Sequence, residues 1–314
     1  MEVRTDPRAT IRNLRRFFGH FPQVKYAHSR LEALFSHECE DEEPECLAII
    51  GDTGTGKSTL INKFVLKHPR IEHEEYTEIP VLCVGLPAKC SIKTLAGRLL
   101  RALGSLYWNR GDEGDRTVSL IKLLKACKVR LIILDEVNHL ADRGAEKSHY
   151  LVGDWIKQVI QESGIPIVLV GTPAAAILWE TNEQLADRYH ELIRLRALSC
   201  EPDRLRELRN VLNAFMAALD GVPCIDLTDE KHARTIAFAT AGRLRDIRRL
   251  LVRAVEIAAA GERFAITRST LAQAFLGVVY PDAPDKRNPF SGKFDGIPLT
   301  KSGEPFAPRG RAKA

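Results

Sequence analysis

The sequence of 314 residues contains no apolar run that approaches the roughly 20 residues needed to span a bilayer. The N-terminal stretch MEVRTDPRATIRNLRRFF also lacks the apolar core and small-residue cleavage site of a secretory signal peptide. Apolar residues make up 45% of the chain and charged residues 28%, which is the balance of a soluble globular protein. We therefore expect a cytoplasmic protein with no membrane partner.

Closely spaced cysteine pairs are also missing. The seven cysteines are odd in number and scattered, with no CxxC motif. Several fall within predicted strands or helices, so we expect reduced thiols with structural roles. His37, Cys39 and Cys46 come nearest to a zinc-ligand cluster, but a fourth ligand at zinc-finger spacing is missing. The spacing therefore favours an ordinary loop over a zinc site.

Positive charge is in small excess, with a net charge of +5, and the basic residues are clustered along the sequence. One cluster lies within residues 1–30, a second within 243–253 and a third in the tail from residue 286. The first two contain Arg4, Arg8, Arg12, Arg15, Arg16, Lys25 and Arg30, and then Arg243, Arg245, Arg248, Arg249 and Arg253. Because none lies beside an obvious apolar face, the pattern favours nucleic acid over membrane as a partner. The alternative to a nucleic-acid partner is that the arginines of a cluster lie on solvated helix faces.

Short apolar runs alternate with amphipathic helical stretches over the first 200 residues. The runs are CLAII (46–50), IPVLCVGL (79–86), VRLIILD (129–135), IPIVLVGT (165–172) and ELIRLRAL (191–198). Four are almost continuously apolar, as expected for central parallel strands, whereas the fifth alternates and suits an edge. The pattern predicts an α/β fold in which helices sandwich a parallel sheet.

Helical patterns alone follow residue 200, at 203–219, 229–240, 243–259 and 267–276. We therefore predict a basic helical extension (1–36), an α/β nucleotide-binding domain (37–200), a small helical domain (201–280) and a tail (281–314). The tail is rich in proline, glycine and basic residues, with only scattered aromatics. This composition predicts a flexible segment that buries no core.

The stretch GDTGTGKST matches the GxxxxGK[ST] phosphate-loop motif between a predicted strand and a predicted helix. Its glycines let backbone N–H groups and the helix N-terminus point at a phosphate. Lys57 is predicted to reach the β- and γ-phosphate oxygens of ATP, and Ser58 to bind Mg²⁺. The predicted nucleotide-binding residues of the loop are Gly51, Asp52, Thr53, Gly54, Thr55, Gly56, Lys57, Ser58 and Thr59.

A second motif, LIILDE, is an apolar strand that ends in two carboxylates. Asp135 is predicted to help hold Mg²⁺, and Glu136 to polarise the water that attacks the γ-phosphate. The alternative, an acidic turn after a buried strand, is weak because the phosphate loop lies upstream.

Two further residues are candidates for a hydrolytic site. Thr172 ends a predicted strand where a sensor of the γ-phosphate is expected, although an ordinary helix N-cap explains it equally well. Arg188 precedes the last predicted strand, where it could act as an arginine finger toward the nucleotide of a neighbouring subunit.

Taken together, these motifs resemble those of the AAA+ ATPases, and among them the TniB-like transposition regulators, which are related to TnsC and MuB. The segments that carry the resemblance are GDTGTGKST, LDEVNHL, VGTPAA, NEQLADRY and the tripeptide NPF at 288–290. In this family a helical lid carries a second sensor arginine, and Arg245 in the GRLR sequence matches it. The resemblance covers roughly residues 10–290.

The resemblance implies an ATP- and Mg²⁺-dependent ATPase, with slow and regulatory turnover. It implies a homo-oligomer, either a ring or a helical filament, on double-stranded DNA without sequence preference. It also implies recruitment of a DDE transposase and a TniQ-type targeting adaptor. Lys89, Lys93 and Lys147 are the candidate DNA contacts on loops and helix starts.

Other nucleotide-binding classes fit less well. A GTPase is disfavoured because no NKxD motif follows a late strand. A transport ATPase is disfavoured because the sequence contains no LSGGQ-type segment. An origin-initiator or helicase-loader ATPase shares the layout but is expected to carry a winged-helix domain after the lid. A STAND-type scaffold, which uses the nucleotide as a latch, is expected to carry a large repeat or effector domain.

Overall fold

The computed structural model describes residues 6–19, 21–36, 44–88, 90–141, 146–180 and 186–308. The chain divides into two compact units. The α/β unit contains Pro22–Asp52 and Gly56–Leu195, and the helical unit contains Met1–Phe21, Thr53–Thr55 and Arg196–Ala314. Among the described residues, no helix combines the length and the apolar character needed to cross a membrane.

The α/β unit is built on a five-stranded sheet in the order β4-β5-β6-β1-β7, with every neighbouring pair parallel. A separate antiparallel hairpin joins β2 and β3. The strands are β1 Leu47–Ile50, β2 Ile71–Glu72, β3 Thr77–Glu78, β4 Val81–Gly85, β5 Leu131–Asp135, β6 Ile167–Gly171 and β7 Glu191–Arg194. The predicted parallel sheet is confirmed.

One strand lies elsewhere than the sequence predicts. The apolar run at 79–86 predicts a central strand, but β4 is an edge strand. Val81, Leu82 and Val84 are nevertheless buried. A continuously apolar run indicates that both faces of a strand are covered. It does not indicate whether the strand is central or at an edge of the sheet. At the other edge, β7 lies where the alternating pattern predicts it.

Helices flank the sheet and form most of the helical unit. Those of the α/β unit are α2 Pro22–Ser36, α3 Lys57–Lys67, α4 Ile92–Ala102, α5 Glu113–Ala126, α6 Asn138–Ala141, α7 Glu146–Ser163, α8 Ile177–Glu180 and a 3₁₀ turn at Pro173–Ala176. Those of the helical unit are α1 Pro7–Arg16, α9 Leu205–Ala218, α10 Glu230–Thr240, α11 Leu244–Ala260 and α12 Arg268–Val278. The side chain of Ser91 caps α4, and an Asp112–Asp115 capping box starts α5.

The predicted extension at 1–36 is divided between the two units. In the helical unit, Leu14 of α1 is fully buried and Phe17 stacks on Phe215 of α9 with ring centroids 3.8 Å apart. Helix α2 instead belongs to the α/β unit, where Leu31 is fully buried. The remaining domain boundaries stay predictions.

A tight turn precedes α11 in the helical unit. Ala241 and Gly242 both have left-handed backbones, with φ of 48° and 64°. The Leu198 amide donates to the Gly242 carbonyl at 2.9 Å. A Cβ atom on Gly242 would lie 1.7 Å from the carbonyl oxygen of Leu198. This close backbone approach admits only glycine at position 242.

The tail differs from the flexible segment that its composition predicts. Phe290, Leu299 and Phe306 are buried. The guanidinium of Arg287, whose side chain is only 5% exposed, donates to the carboxylates of Asp295 and Glu304 at 2.7–2.8 Å. It also donates to the carbonyls of residues 297 and 298 at 3.1 and 2.9 Å. Arg287 ends a short 3₁₀ helix at Asp285–Arg287. A buried arginine that satisfies its donors in this way orders the irregular segment that follows.

Candidate nucleotide-binding site

The phosphate loop connects β1 to α3. The amide of Gly51 donates to the carbonyl of Gly171 at 3.1 Å, which fixes the start of the loop against β6. Gly54 and Gly56 have φ of 86° and 103°, a left-handed backbone that other residues adopt only with strain. These two glycines let the backbone turn tightly, and α3 begins at the next residue, Lys57.

The other predicted loop residues differ in exposure. Asp52 and Thr53 are exposed, whereas Thr55 is buried at 1% exposure. Thr59 lies in the first turn of α3 and is half-buried. The exposed N-terminal turn of a helix presents unpaired amides and the positive end of the helix dipole, and both favour an anion.

Lys57 is buried within the loop, at 7% exposure. Its ammonium donates to the carbonyl of Gly51 at 2.6 Å and to that of Asp52 at 3.0 Å. The cation is therefore held where the phosphate loop turns into α3. An ammonium group with three donors and a flexible stem can exchange backbone carbonyls for phosphate oxygens.

Ser58 and Asp135 connect the phosphate loop to the acidic motif. The Ser58 hydroxyl donates to the Asp135 carboxylate at 3.1 Å. Asp135 is the last residue of β5, and its other carboxylate oxygen accepts from the amide of Glu136 at 2.8 Å. A hydroxyl and a carboxylate oxygen at the carboxyl end of a parallel strand form the hard-oxygen donor set that suits Mg²⁺.

Glu136 is exposed and has a left-handed backbone with φ of 59°. For a residue other than glycine this conformation costs about 1–2 kcal/mol. The next residue, Val137, is held by a 3.0 Å hydrogen bond from its amide to the carbonyl of Val170. The surrounding structure thus maintains a turn that leaves the Glu136 carboxylate in solvent beside Asp135.

Thr172 and Asn138 bring the end of β6 next to the acidic motif. The amide of Thr172 donates to the side-chain oxygen of Asn138 at 3.3 Å. Thr172 precedes the 3₁₀ turn, and within the described residues its side chain makes no capping hydrogen bond to that turn. The sequence pattern did not single out Asn138 as a site residue, although it stands in the LDEVNHL segment.

Arg188 lies at the opposite end of the sheet from the phosphate loop. Its carbonyl accepts a 3.3 Å hydrogen bond from the amide of Cys46, the residue before β1, whereas the loop begins after β1 ends. Four strand residues at about 3.3 Å each separate the two points by roughly 13 Å, farther than an arginine side chain extends. Arg188 is therefore out of reach of the phosphate loop of its own chain.

The environment beside Arg188 is dry. Burial raises the pKa of the Cys46 thiol to about 11, despite the nearby Arg188 charge, which lowers it. Burial likewise raises the pKa of the adjacent Tyr189 well above its ordinary value.

None of the six described cysteines forms a disulfide.

Arg245 lies beside the tip of the phosphate loop within the helical unit. Its amide donates to the carbonyl of Gly54 at 3.2 Å, and a Cβ on Gly54 would lie 3.3 Å from the Cβ of Arg245. The Arg245 guanidinium contacts Asp246 at 3.2 Å. The predicted second sensor thus lies beside residues 53–55, the part of the loop that belongs to the same unit.

The predicted DNA contacts are described only in part. Lys93 is exposed in the first turn of α4. Lys89 lies outside the described residues, as does the side chain of Lys147. His37 and Cys39, two of the three residues nearest to a zinc-ligand cluster in the sequence, also lie outside them.

Several solved structures have a similar fold. Cdc6p from Pyrobaculum aerophilum superposes with a TM-score of 0.61 at 15% identity, covering 86% of this chain and 70% of that one. ORC1 from Aeropyrum pernix, solved in complex with DNA, gives 0.56 at 17% identity, covering 84% and 67%. Drosophila ORC bound to DNA gives 0.55 at 17% identity, covering 91% and 71%. At such identities the likeness establishes the fold alone.

Sequence comparison gives the family. No curated protein matches this sequence. The profile of the family described as Bacterial TniB protein matches residues 10–199, which is more than half of the chain. This match includes the phosphate loop, the acidic motif and Arg188. The chain therefore belongs to the TniB family.

Proposed function

We propose that this protein is an ATP-dependent, DNA-binding regulator of transposition that assembles on target DNA and recruits a transposase. The observation that carries the proposal is the convergence of Lys57, Ser58, Asp135 and Glu136 at one edge of the sheet in a TniB-family chain. The first two residues come from the phosphate loop and the last two from the acidic motif. This set suits a nucleoside triphosphate with its metal.

ATP and Mg²⁺ fit the residues that surround the loop. Lys57 would bind the β- and γ-phosphate oxygens in place of the carbonyls of Gly51 and Asp52, and Ser58 with Asp135 would hold Mg²⁺. Mg²⁺ supplies charge neutralisation to the phosphates when it is bound. Glu136 orients and polarises the attacking water, while Thr172 and Arg245 respond to the γ-phosphate. The turnover is slow and serves regulation.

The position of Arg188 favours an assembly. Because this arginine cannot reach the phosphate loop of its own chain, it acts on the nucleotide of a neighbouring subunit. ATP then joins subunits into a ring or helical filament. Each subunit contributes few phosphate contacts, including those of Lys93, and only the assembly adds them along one duplex.

The partners follow from family membership. The assembly binds double-stranded DNA without sequence preference and recruits a DDE transposase and a TniQ-type adaptor. Two structures of similar fold, ORC1 and Drosophila ORC, were solved with DNA, which supports a DNA-directed role for this fold. The neighbouring genes offer an independent check. A transposase gene beside this one supports the proposal, and a replication operon contradicts it.

The decisive experiment is a DNA titration with ATP, with ADP and without nucleotide, at two salt concentrations and with two unrelated duplex sequences. We expect tight binding only with ATP, equal for both sequences and weaker at high salt because phosphate contacts release counterions. Arg188→Ala should lose both assembly and DNA binding. Arg206→Ala, an exposed arginine on α9, is the matched control and should behave as wild type.

Four outcomes contradict the proposal or part of it. Tight DNA binding by nucleotide-free monomers, or a strong preference for one sequence, favours an origin-initiator function. Tightly retained ADP without DNA binding favours a nucleotide-latched scaffold. Unchanged assembly of the Arg188→Ala variant removes its role between subunits.

A further inference from the structure

Two basic clusters that are more than 200 residues apart in the sequence lie on one groove of the helical unit. The C-terminal end of α1 contacts α11, where the guanidinium of Arg248 donates to the Arg15 carbonyl at 3.5 Å. A groove of about 550 Å³ lies here, and Arg15, Arg248, Arg249 and Arg253 line it. Glu256 is the one acidic residue among its lining residues. Folding thus concentrates positive charge that the sequence distributes over two segments.

The groove carries a formal charge of +3, from four arginines against one glutamate. Arg253 contacts Glu256 at 3.0 Å, and Arg249 contacts Asp246 at 3.8 Å. The side chains of Arg249 and Arg253 are 59% and 45% exposed. Ion pairs this exposed contribute at most about 1 kcal/mol, so these arginines can readily exchange their partners for a bound anion.

The third basic cluster, in the tail, behaves differently. Arg287 is buried against Asp295 and Glu304, and Lys293 pairs with Asp285 at 3.2 Å. Carboxylates of the tail itself therefore balance these two cations. In the groove, by contrast, exposed arginines of the first two clusters surround one cavity.

The chemistry of the groove favours phosphate as its ligand. Guanidinium groups bind phosphate oxygens through paired N–H donors. Arg249 and Arg253 lie one helical turn apart, an axial rise of about 6 Å, which is close to the roughly 7 Å axial rise of two nucleotide steps on one DNA strand. Val252 and Val278 are the two apolar residues of the lining, so most of the groove surface is charged.

We propose that this groove binds the sugar–phosphate backbone of duplex DNA through Arg15, Arg249 and Arg253, without reading bases. The proposal rests on the proposed DNA-binding function and adds a second contact surface to it. The helical unit then contributes to DNA affinity separately from Lys93 of the α/β unit. Two modest contact surfaces on one subunit raise the affinity of an assembled filament more than either does alone.

The test compares Arg249→Gln/Arg253→Gln with the control Arg206→Gln/Arg263→Gln, which removes two exposed arginines that do not line the groove. DNA affinity is measured by fluorescence anisotropy on a labelled duplex with ATP over a series of salt concentrations. Removing two phosphate contacts should make the log–log salt slope less negative by about 1.8 and weaken binding at 0.1 M salt by tenfold or more. Arg15→Gln, which removes the contact from α1, should make the slope less negative by about 0.9.

DNA-independent ATP turnover and the melting temperature should stay at wild-type values, because these arginines lie outside the nucleotide site. If the wild-type protein binds DNA normally and the groove variants have the same affinity and salt slope, the groove does not bind DNA. That result leaves the proposed function intact. Failure of the wild-type protein to bind DNA in any nucleotide state overturns both. Binding of labelled polyglutamate that depends on the groove, while DNA binding does not, assigns the groove to an acidic polypeptide and overturns the proposal.

Discussion

Ser58 and Asp135 are 77 positions apart in the sequence and are joined by a 3.1 Å hydrogen bond. This bond links the first turn of α3 to the end of β5. It places the ammonium-bearing loop and the two carboxylates of the acidic motif at the same edge of the sheet. Because both segments meet there, substitutions in either should affect the same nucleotide, but in different ways.

Lys57→Ala should weaken ATP binding by roughly ten- to a hundredfold, since a hydrogen bond to a charged group contributes about 1.5–3 kcal/mol. A fluorescent ATP analogue, titrated by anisotropy, measures the affinity. Lys63→Ala, an exposed lysine on the same helix, is the control and should bind normally. Wild-type affinity in the Lys57 variant would show that the phosphates bind elsewhere.

Glu136→Gln should bind ATP normally and hydrolyse it about 10²–10⁴-fold more slowly, because an amide keeps the shape of the carboxylate but cannot accept the proton. Phosphate release and nucleotide affinity are measured on the same preparation. Glu113→Gln, at an exposed position in the first turn of α5, should leave both unchanged. If the Glu136 variant turns over at the wild-type rate, another group positions the water.

Gly242→Ala should destabilise the helical unit by about 2 kcal/mol or more. A methyl group there collides with the Leu198 carbonyl, and the left-handed backbone disfavours any side chain. Chemical denaturation measures the effect. Gly261→Ala is the control, since its new Cβ would lie no closer than 3.6 Å to its neighbours. Equal stability of the two variants would contradict the close approach.

Arg287→Met should release the tail, because it leaves Glu304 buried without its partner, at a cost of about 3–5 kcal/mol. Hydrogen exchange of the Phe306 amide, which donates to Leu299 at 3.1 Å, reports this local opening. Lys293→Met breaks an exposed pair with Asp285 instead and should cost at most about 1 kcal/mol. Matching exchange rates in both variants would mean that the buried cluster does not hold the tail.

The same cluster predicts a pH dependence. The hydrogen bond from Arg287 lowers the pKa of Glu304 below its ordinary 4.5, and the backbone amide of Ile297 lowers the pKa of Asp295 below 3.8. Both carboxyls are more acidic in the folded tail, so they stabilise it above those ordinary values, and the stabilisation is lost as pH falls below them. Protection of the Phe306 amide should be constant from pH 8 to about 5 and fall in more acidic solution. Protection that persists at pH 3 would contradict this.

Much of the site could be predicted because it depends on contiguous residues. The phosphate loop needs glycines at fixed spacing before a helix, and Asp135 and Glu136 need only the end of an apolar strand. Asn138 was missed because its partner, the amide of Thr172, comes from another strand. No local pattern specifies such a contact.

The order of the tail could not be predicted for a related reason. Phe290, Leu299 and Phe306 follow neither a helical nor a strand period, so the composition indicates disorder. The partners of Arg287, Asp295 and Glu304, are 8 and 17 positions away in a segment without regular secondary structure. Similarly, the two arginine clusters of the groove meet only because α1 packs in the helical unit.

The left-handed backbone of Glu136 has a consequence for engineering the protein. Schemes for thermostabilisation replace left-handed residues by glycine, since the substitution relieves backbone strain. Applied without regard to chemistry, such a scheme would select position 136 and remove the carboxylate proposed to activate water. Asp220 has the same kind of backbone, with φ of 47°, and is exposed at the end of α9. A stabilised version of this chain for structural work should therefore change Asp220 and keep Glu136.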